Sequence, residues 1–189
     1  MKILVTGDSF AADWTVEHKG HVGWPNLLAE AHSVTNLAQA GCSEYRIYKQ
    51  LASADLSKFD VIIVSHTSPY RLYVPEHPLH SESRLHKNSD VIYKDIQGRV
   101  PVLEEYFEQY FDLEYARFVH GAIGKEIRDL LQDFPSLHLQ HVEGNMPCEF
   151  KNTLDLSQEW KKYRGLINHY SDKGNKVIYN IVRNSLAGL

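Results

Sequence analysis

Asp60-Val61-Ile62-Ile63-Val64-Ser65 holds four β-branched residues in an unbroken row. A strand that is apolar at every position needs cover on both faces, which is the situation of a strand inside a parallel sheet. Lys2-Ile3-Leu4-Val5-Thr6-Gly7 repeats the pattern at the N-terminus and stops at glycine. Between the two runs, Trp24, Leu27, Leu28 and Ala31 recur at helical spacing over 22–32, with Pro25 suited to a first helical turn. Ser33 to Leu37 reads as a second strand, Gly41-Cys42-Ser43 as a turn, and Ile47, Tyr48 and Leu51 mark a helix over 44–54. Strands alternating with helices build βαβ units, so the chain is expected to be an α/β protein with a mostly parallel sheet.

Beyond the third strand the alternation breaks. Residues 69–101 hold four of the seven prolines and three histidines, and read as an irregular excursion before the sheet is complete. A helical stretch over 102–134 follows, carrying Tyr106, Phe107, Tyr110 and Phe111, a stripe expected to be core or a dimer surface. Leu137 to Val142 returns as a strand, 143–160 reads mostly as loop, and 172–186 closes as a helix with Ser171 as its N-cap.

With 189 residues, 43% of them hydrophobic and 23% charged, the chain is expected to be one ordered domain, 1–189. A net charge of −4 gives no electrostatic reason for nucleic acid or an anionic membrane as the main partner. No run nears the ~18 apolar residues of a membrane span, and Ile3-Leu4-Val5 is short for a signal peptide, so a cytoplasmic protein is expected. Cys42 and Cys148 allow one bridge at most, and Cys42 reads as a small buried hydrophobe.

Two segments carry candidate chemistry. Gly7-Asp8-Ser9-Phe10 sits where the first strand hands over to a loop, and ligands of open α/β sheets bind at the carboxyl ends of strands. A serine there has an exposed hydroxyl near amide donors, although Asp and Ser are also ordinary turn residues. A dinucleotide fingerprint is excluded by spacing, since no glycine follows Gly7 until Gly20. Near the C-terminus, His169 in Asn168-His169-Tyr170-Ser171-Asp172 precedes the last helix, where a general base is accessible and a solvated side chain is equally at home.

Taken with Gly23-Trp24-Pro25-Asn26-Leu27-Leu28-Ala29 and Asn36-Leu37-Ala38-Gln39-Ala40-Gly41-Cys42-Ser43, these segments resemble the SGNH (GDSL-type) hydrolase family in order and spacing, over roughly residues 1–66 and 160–187. The resemblance implies a three-layer α/β/α fold with a flavodoxin-like parallel sheet, here with a helical and loop insertion at about 69–134 after the third strand. It implies ester cleavage through an acyl-serine, with Ser9 as nucleophile, His169 as base, the N–H groups of Ser9 and Gly41 as oxyanion donors, and no metal or organic cofactor. In the family's third block Thr67 stands where asparagine is usual, and Leu166 occupies the usual place of the acid; Asp155, Asp172 or a backbone carbonyl are the substitutes considered for orienting His169.

The expected function is therefore hydrolysis of a small acyl ester, such as an acetyl group on a carbohydrate, with a homodimer compatible with the sequence. Acyl transfer to a sugar hydroxyl and a weakly catalytic glycan-binding or scaffolding module are the alternatives. His77, His80 and His86, with Arg71 and Arg84, read as a solvated loop or a lid rather than a metal site. His138 and His141, three apart on a strand, are expected to face opposite sides. Trp14 is expected either to wall the site or to anchor its loop, and Glu159 to Arg164 to form a solvated helix face.

Overall fold

In the computed structural model, which describes residues 1–165 and 169–189, five parallel strands form one sheet in the order β2-β1-β3-β4-β5. They are β1 (Lys2–Gly7), β2 (Ser33–Asn36), β3 (Val61–Ser65), β4 (Ser136–Gln140) and β5 (Thr153–Asp155). This is the flavodoxin-like order, reversing direction between β1 and β3, and such a reversal opens a crevice at the carboxyl ends of those strands. Gly7 pairs with Ser65 at that end.

The period of two along each strand divides the core. Ile3, Val5 and Ile63 turn to one face with Trp24 and Leu28 of α1 (Trp24–Ala29) and Ile178 and Val182 of α7 (Asp172–Leu186). Leu4, Ile62 and Val64 turn to the other, against Ile47 and Leu51 of α2 (Glu44–Ala52) and Ile127 of α5 (Leu113–Leu130). Helices thus flank both faces, as the continuous apolar strands require. The Ser171 hydroxyl caps α7 by accepting from Gly174 N at 3.3 Å.

The segment 143–160 is mostly loop, as expected, but it also holds β5 and the start of α6 (Ser157–Lys162). β5 has only three residues and no apolar run, so its order comes from pairing with β4, His138 with Thr153 through Gln140 with Asp155. Asp155 Oδ1 then accepts from Ser157 N at 2.9 Å and starts α6. Within α6 Trp160 is buried, so the Glu159–Arg164 stretch is not wholly solvated; the Arg164 guanidinium covers its ring at 4.0 Å.

Between β3 and β4 come an irregular excursion, a one-turn helix α3 (Tyr93–Ile96), α4 (Pro101–Gln109) and α5. The aromatic stripe of α4 is not core: none of that helix is buried, and Tyr106, Tyr110 and Phe111 line a cavity of about 530 Å³ shared with α2 and α5. The excursion is not a solvated loop either. Leu72 and Val91 pair across it, Leu85 packs with Ala12, Trp14 and Ala40, and His77 is fully buried. Buried Asp90 fastens it to the start of α2 by accepting from Ser43 N at 2.7 Å and pairing with Arg46 at 2.9 Å. Cys42 and Cys148 are both free, and Cys42 is buried as expected. Among the described residues no helix is long and apolar enough to cross a membrane.

Candidate active site at the carboxyl end of the first strand

β1 ends in a glycine because β3 leaves no room for more: a Cβ on Gly7 would lie 2.5 Å from Ser65 Cβ, at a φ of +145°. The Gln50 side chain holds that residue from both sides, accepting from Gly7 N at 2.8 Å and donating to Gly7 O at 3.2 Å. The chain then folds into a tight turn in which Ala11 N and Ala12 N donate to Asp8 O and Phe10 N donates to Asp8 Oδ1. Asp8 is thus the Asx-type turn residue that its composition suggested.

Ser9 sits on this turn, 8% exposed. Three successive carbonyls around it are each fixed by a side chain: Ser9 O accepts from Trp14 Nε1 at 2.8 Å, Phe10 O from Trp24 Nε1 at 2.8 Å, and Ala11 O from Asn36 Nδ2 at 2.9 Å. The N–H groups of Phe10, Ala11 and Ala12 are spent on Asp8, which leaves that of Ser9. Among the described residues, neither Ser9 N–H nor Gly41 N–H has an acceptor. Two uncommitted amide donors are what an oxyanion requires.

His169 reaches the same place from the other end of the chain. It lines one narrow crevice with Ser9, Phe10, Trp14, His21 and Asn175, about 10 Å³ in volume, room for roughly one water. The His169 ring lies 4.5 Å from the Trp14 ring and 5.1 Å from Phe10. Trp14 therefore does both things expected of it, anchoring the Ser9 carbonyl and walling the crevice. Beyond it the crevice meets a cleft of about 480 Å³ lined by Trp14, His18, Lys19, His21, His169 and Asp172. Asp172 shares this cleft with His169 and stands 3.9 Å from His21, whereas Asp155 is engaged at the start of α6. The acid position expected at Leu166 lies outside the described residues.

Gly41 bends with φ +77°, and a Cβ there would meet Ser89 Cβ at 2.5 Å. Its glycine is thus enforced by the excursion packed against it. Asp90 N and Arg71 Nη1 both donate to Gly41 O, at 2.8 and 3.2 Å, and so hold the bend from the carbonyl side.

Thr67 is buried and held on every polar atom. Its N–H donates to Glu44 Oε2 at 3.3 Å, its carbonyl accepts from His120 Nε2 at 2.9 Å, and its hydroxyl accepts from Arg71 Nε at 3.3 Å. Burial pushes the Asp8 carboxyl up to about 6, against the pull of the Arg71 cation, Phe10 N–H and the hydroxyls of Thr67 and Ser65. Thr67 and Arg71 are thereby part of one polar cluster with Asp8.

Behind Thr67 runs a buried chain that the sequence did not reveal. Glu44 Oε1 lies 2.6 Å from His66 Nδ1, and His66 Nε2 lies 2.9 Å from His138 Nδ1. Burial would raise the Glu44 carboxyl, but His66 and His120 overturn it and hold it down at about 2. Burial and the neighbouring His66 push His138 down to about 2, so it stays neutral. As expected, His141 faces the other way, stacked on Phe10 at 4.6 Å, with Nδ1 2.9 Å from Tyr170 Oη. Arg71, Asp90 and Glu44 carried no motif; an acidic residue in a first turn and two charged residues in a loop look like solvated side chains until the fold buries Glu44 and Asp90 and half-buries Arg71.

No protein-family model matches the chain, and no curated protein matches it.

Proposed function

We propose that the protein is a serine ester hydrolase of the SGNH (GDSL) type. Ser9 Oγ attacks the ester carbonyl, and His169 takes the hydroxyl proton and returns it to the departing alcohol. His169 then activates water to release the acid. The oxyanion is received by Ser9 N–H and Gly41 N–H. Thr67 serves as a third donor only if its hydroxyl proton turns from Asp8 to the substrate.

The observation that carries this reading is the shared crevice: Ser9 and His169, distant in the chain, line one space at the carboxyl end of β1. The preorganised turn adds support, since fixed carbonyls around Ser9 cost no reorganisation when charge develops. A crevice near one water in size suits a short acyl group, and the adjoining cleft with Lys19, His18 and Trp14 suits a polar, ring-containing alcohol such as a sugar.

The test is fluorophosphonate labelling and p-nitrophenyl acetate hydrolysis by the native protein, Ser9→Ala and His169→Ala. Labelling at Ser9 and hydrolysis falling by about 10⁴-fold or more in both variants are expected. Native protein that neither labels nor turns over acetyl esters, including acetylated sugars, overturns the proposal.

A further inference from the structure

The excursion holds a second cluster with no part in ester chemistry. One donor atom from each of His77, His80 and Asp95 lies within 4.8 Å of the other two. His77 is fully buried, and its ring stacks on His80 with centroids 4.2 Å apart. Leu79 N donates to His77 Nδ1 at 3.1 Å, while Nε2 has no hydrogen-bond partner among the described residues. A buried ring nitrogen without a partner is costly, and a native fold that keeps one calls for an explanation. Among the described residues neither the His80 ring nor the Asp95 carboxylate makes a hydrogen bond. His80 and Asp95 hold lone pairs in reserve, while His77, accepting at Nδ1, carries its ring proton on the partnerless Nε2.

We propose that His77, His80 and Asp95 form a zinc site that closes the excursion onto α3. Two imidazoles and one carboxylate are a borderline nitrogen and oxygen donor set, which suits zinc rather than magnesium or calcium, whose sites are built of oxygen. Zinc-bound nitrogen and oxygen atoms lie at about 2.0–2.2 Å from the ion, so the three donors must draw together. His80 and Asp95 are only half-buried and can swing toward the fixed His77. Water completes the tetrahedron. Zinc at Nε2 moves the ring proton to Nδ1 and displaces the Leu79 amide, one hydrogen bond against the binding of an ion.

The position gives the ion a role. His80 lies 5.6 Å from the His86 ring, and His86 lies 6.1 Å from Trp14, the residue that anchors Ser9. A cation joining the His77–His80 turn to α3 braces the segment against which Trp14 packs.

The experiment is zinc titration of chelator-stripped full-length protein by calorimetry, with cobalt(II) as a spectroscopic stand-in. Expected are one zinc per chain at low-micromolar affinity or tighter, a tetrahedral cobalt spectrum, and no response to magnesium. His80→Ala and Asp95→Asn are partly exposed substitutions that preserve the core, and each should weaken zinc at least tenfold and abolish the cobalt bands. No zinc bound at 100 µM, or an affinity unchanged in either variant because other histidines bind the ion, overturns the proposal. These readouts do not depend on Ser9 chemistry.

Discussion

The indole N–H of Trp14 donates to the carbonyl of Ser9 at 2.8 Å, while the same ring lies 4.5 Å from the imidazole of His169. One side chain therefore fixes the turn that carries Ser9, the proposed nucleophile, and walls the crevice beside it. Trp14→Phe keeps most of the ring and removes the hydrogen bond. It should cost about 1 kcal/mol in urea unfolding and lower kcat for an acetyl ester about tenfold, with KM little changed. An unchanged kcat would show that the Ser9 carbonyl needs no such anchor.

Asp8 makes a prediction about pH. Its carboxyl sits at about 6 when folded, above its ordinary 3.8, so the folded state holds its proton more tightly than the unfolded chain. The stability it contributes is complete below pH 3.8 and is lost as pH rises through 6. The whole change is about 3 kcal/mol. Asp8→Asn should therefore gain on the native protein by that order between acid and neutral pH, followed by urea unfolding across the range. A difference that stays flat with pH would refute the raised carboxyl.

Glu44 runs in the opposite sense. Held at about 2 by His66 and His120, it contributes stability that is present above pH 4.5 and fades as pH falls toward 2. Glu44→Gln should cost about 3 kcal/mol at neutral pH and much less near pH 3, the order set by that displacement. Because Glu44 also receives Thr67 N–H, the variant should lose the proposed esterase activity in parallel.

Gly41 and Ser89 form a steric pair. Gly41→Ala places a Cβ 2.5 Å from Ser89 Cβ at a φ of +77°, and should cost about 2 kcal/mol or more. Ser89→Gly removes the clash but leaves the backbone strain, so the double variant should recover part of the loss. Thermal unfolding of the four proteins in a double-mutant cycle gives the coupling. Strict additivity would mean the two residues do not touch.

The parallel sheet was legible because Ile3 to Val5 and Val61 to Val64 must be covered on both sides, whatever surrounds them. β5 was illegible because Thr153, Leu154 and Asp155 become a strand only by pairing with β4. At the site, Ser9, Gly41 and His169 stood out through the resemblance of their segments to the SGNH family, and Ser9 and His169 line one crevice. Arg71, Asp90 and Glu44 did not, since nothing local distinguishes a solvated charge from one that tertiary packing encloses. The α4 aromatics misled in the other direction, because an apolar stripe has the same pattern whether it fills a core or walls a cavity.

The fastening of Gly41 by Ser89 and Asp90 carries a consequence for the order of events in folding. The sheet edge formed by β1, β2 and β3 is complete by Ser65, but the bend that aims Gly41 N–H is held by residues encoded later. Made from the N-terminus, the chain presents β1 to β3 before Ser89 and Asp90 exist to hold that bend. A nascent chain with its first three strands assembled would have Ser9 in place but the Gly41 bend unsecured. On the proposed reading, its oxyanion receptor is finished only once the insertion has docked.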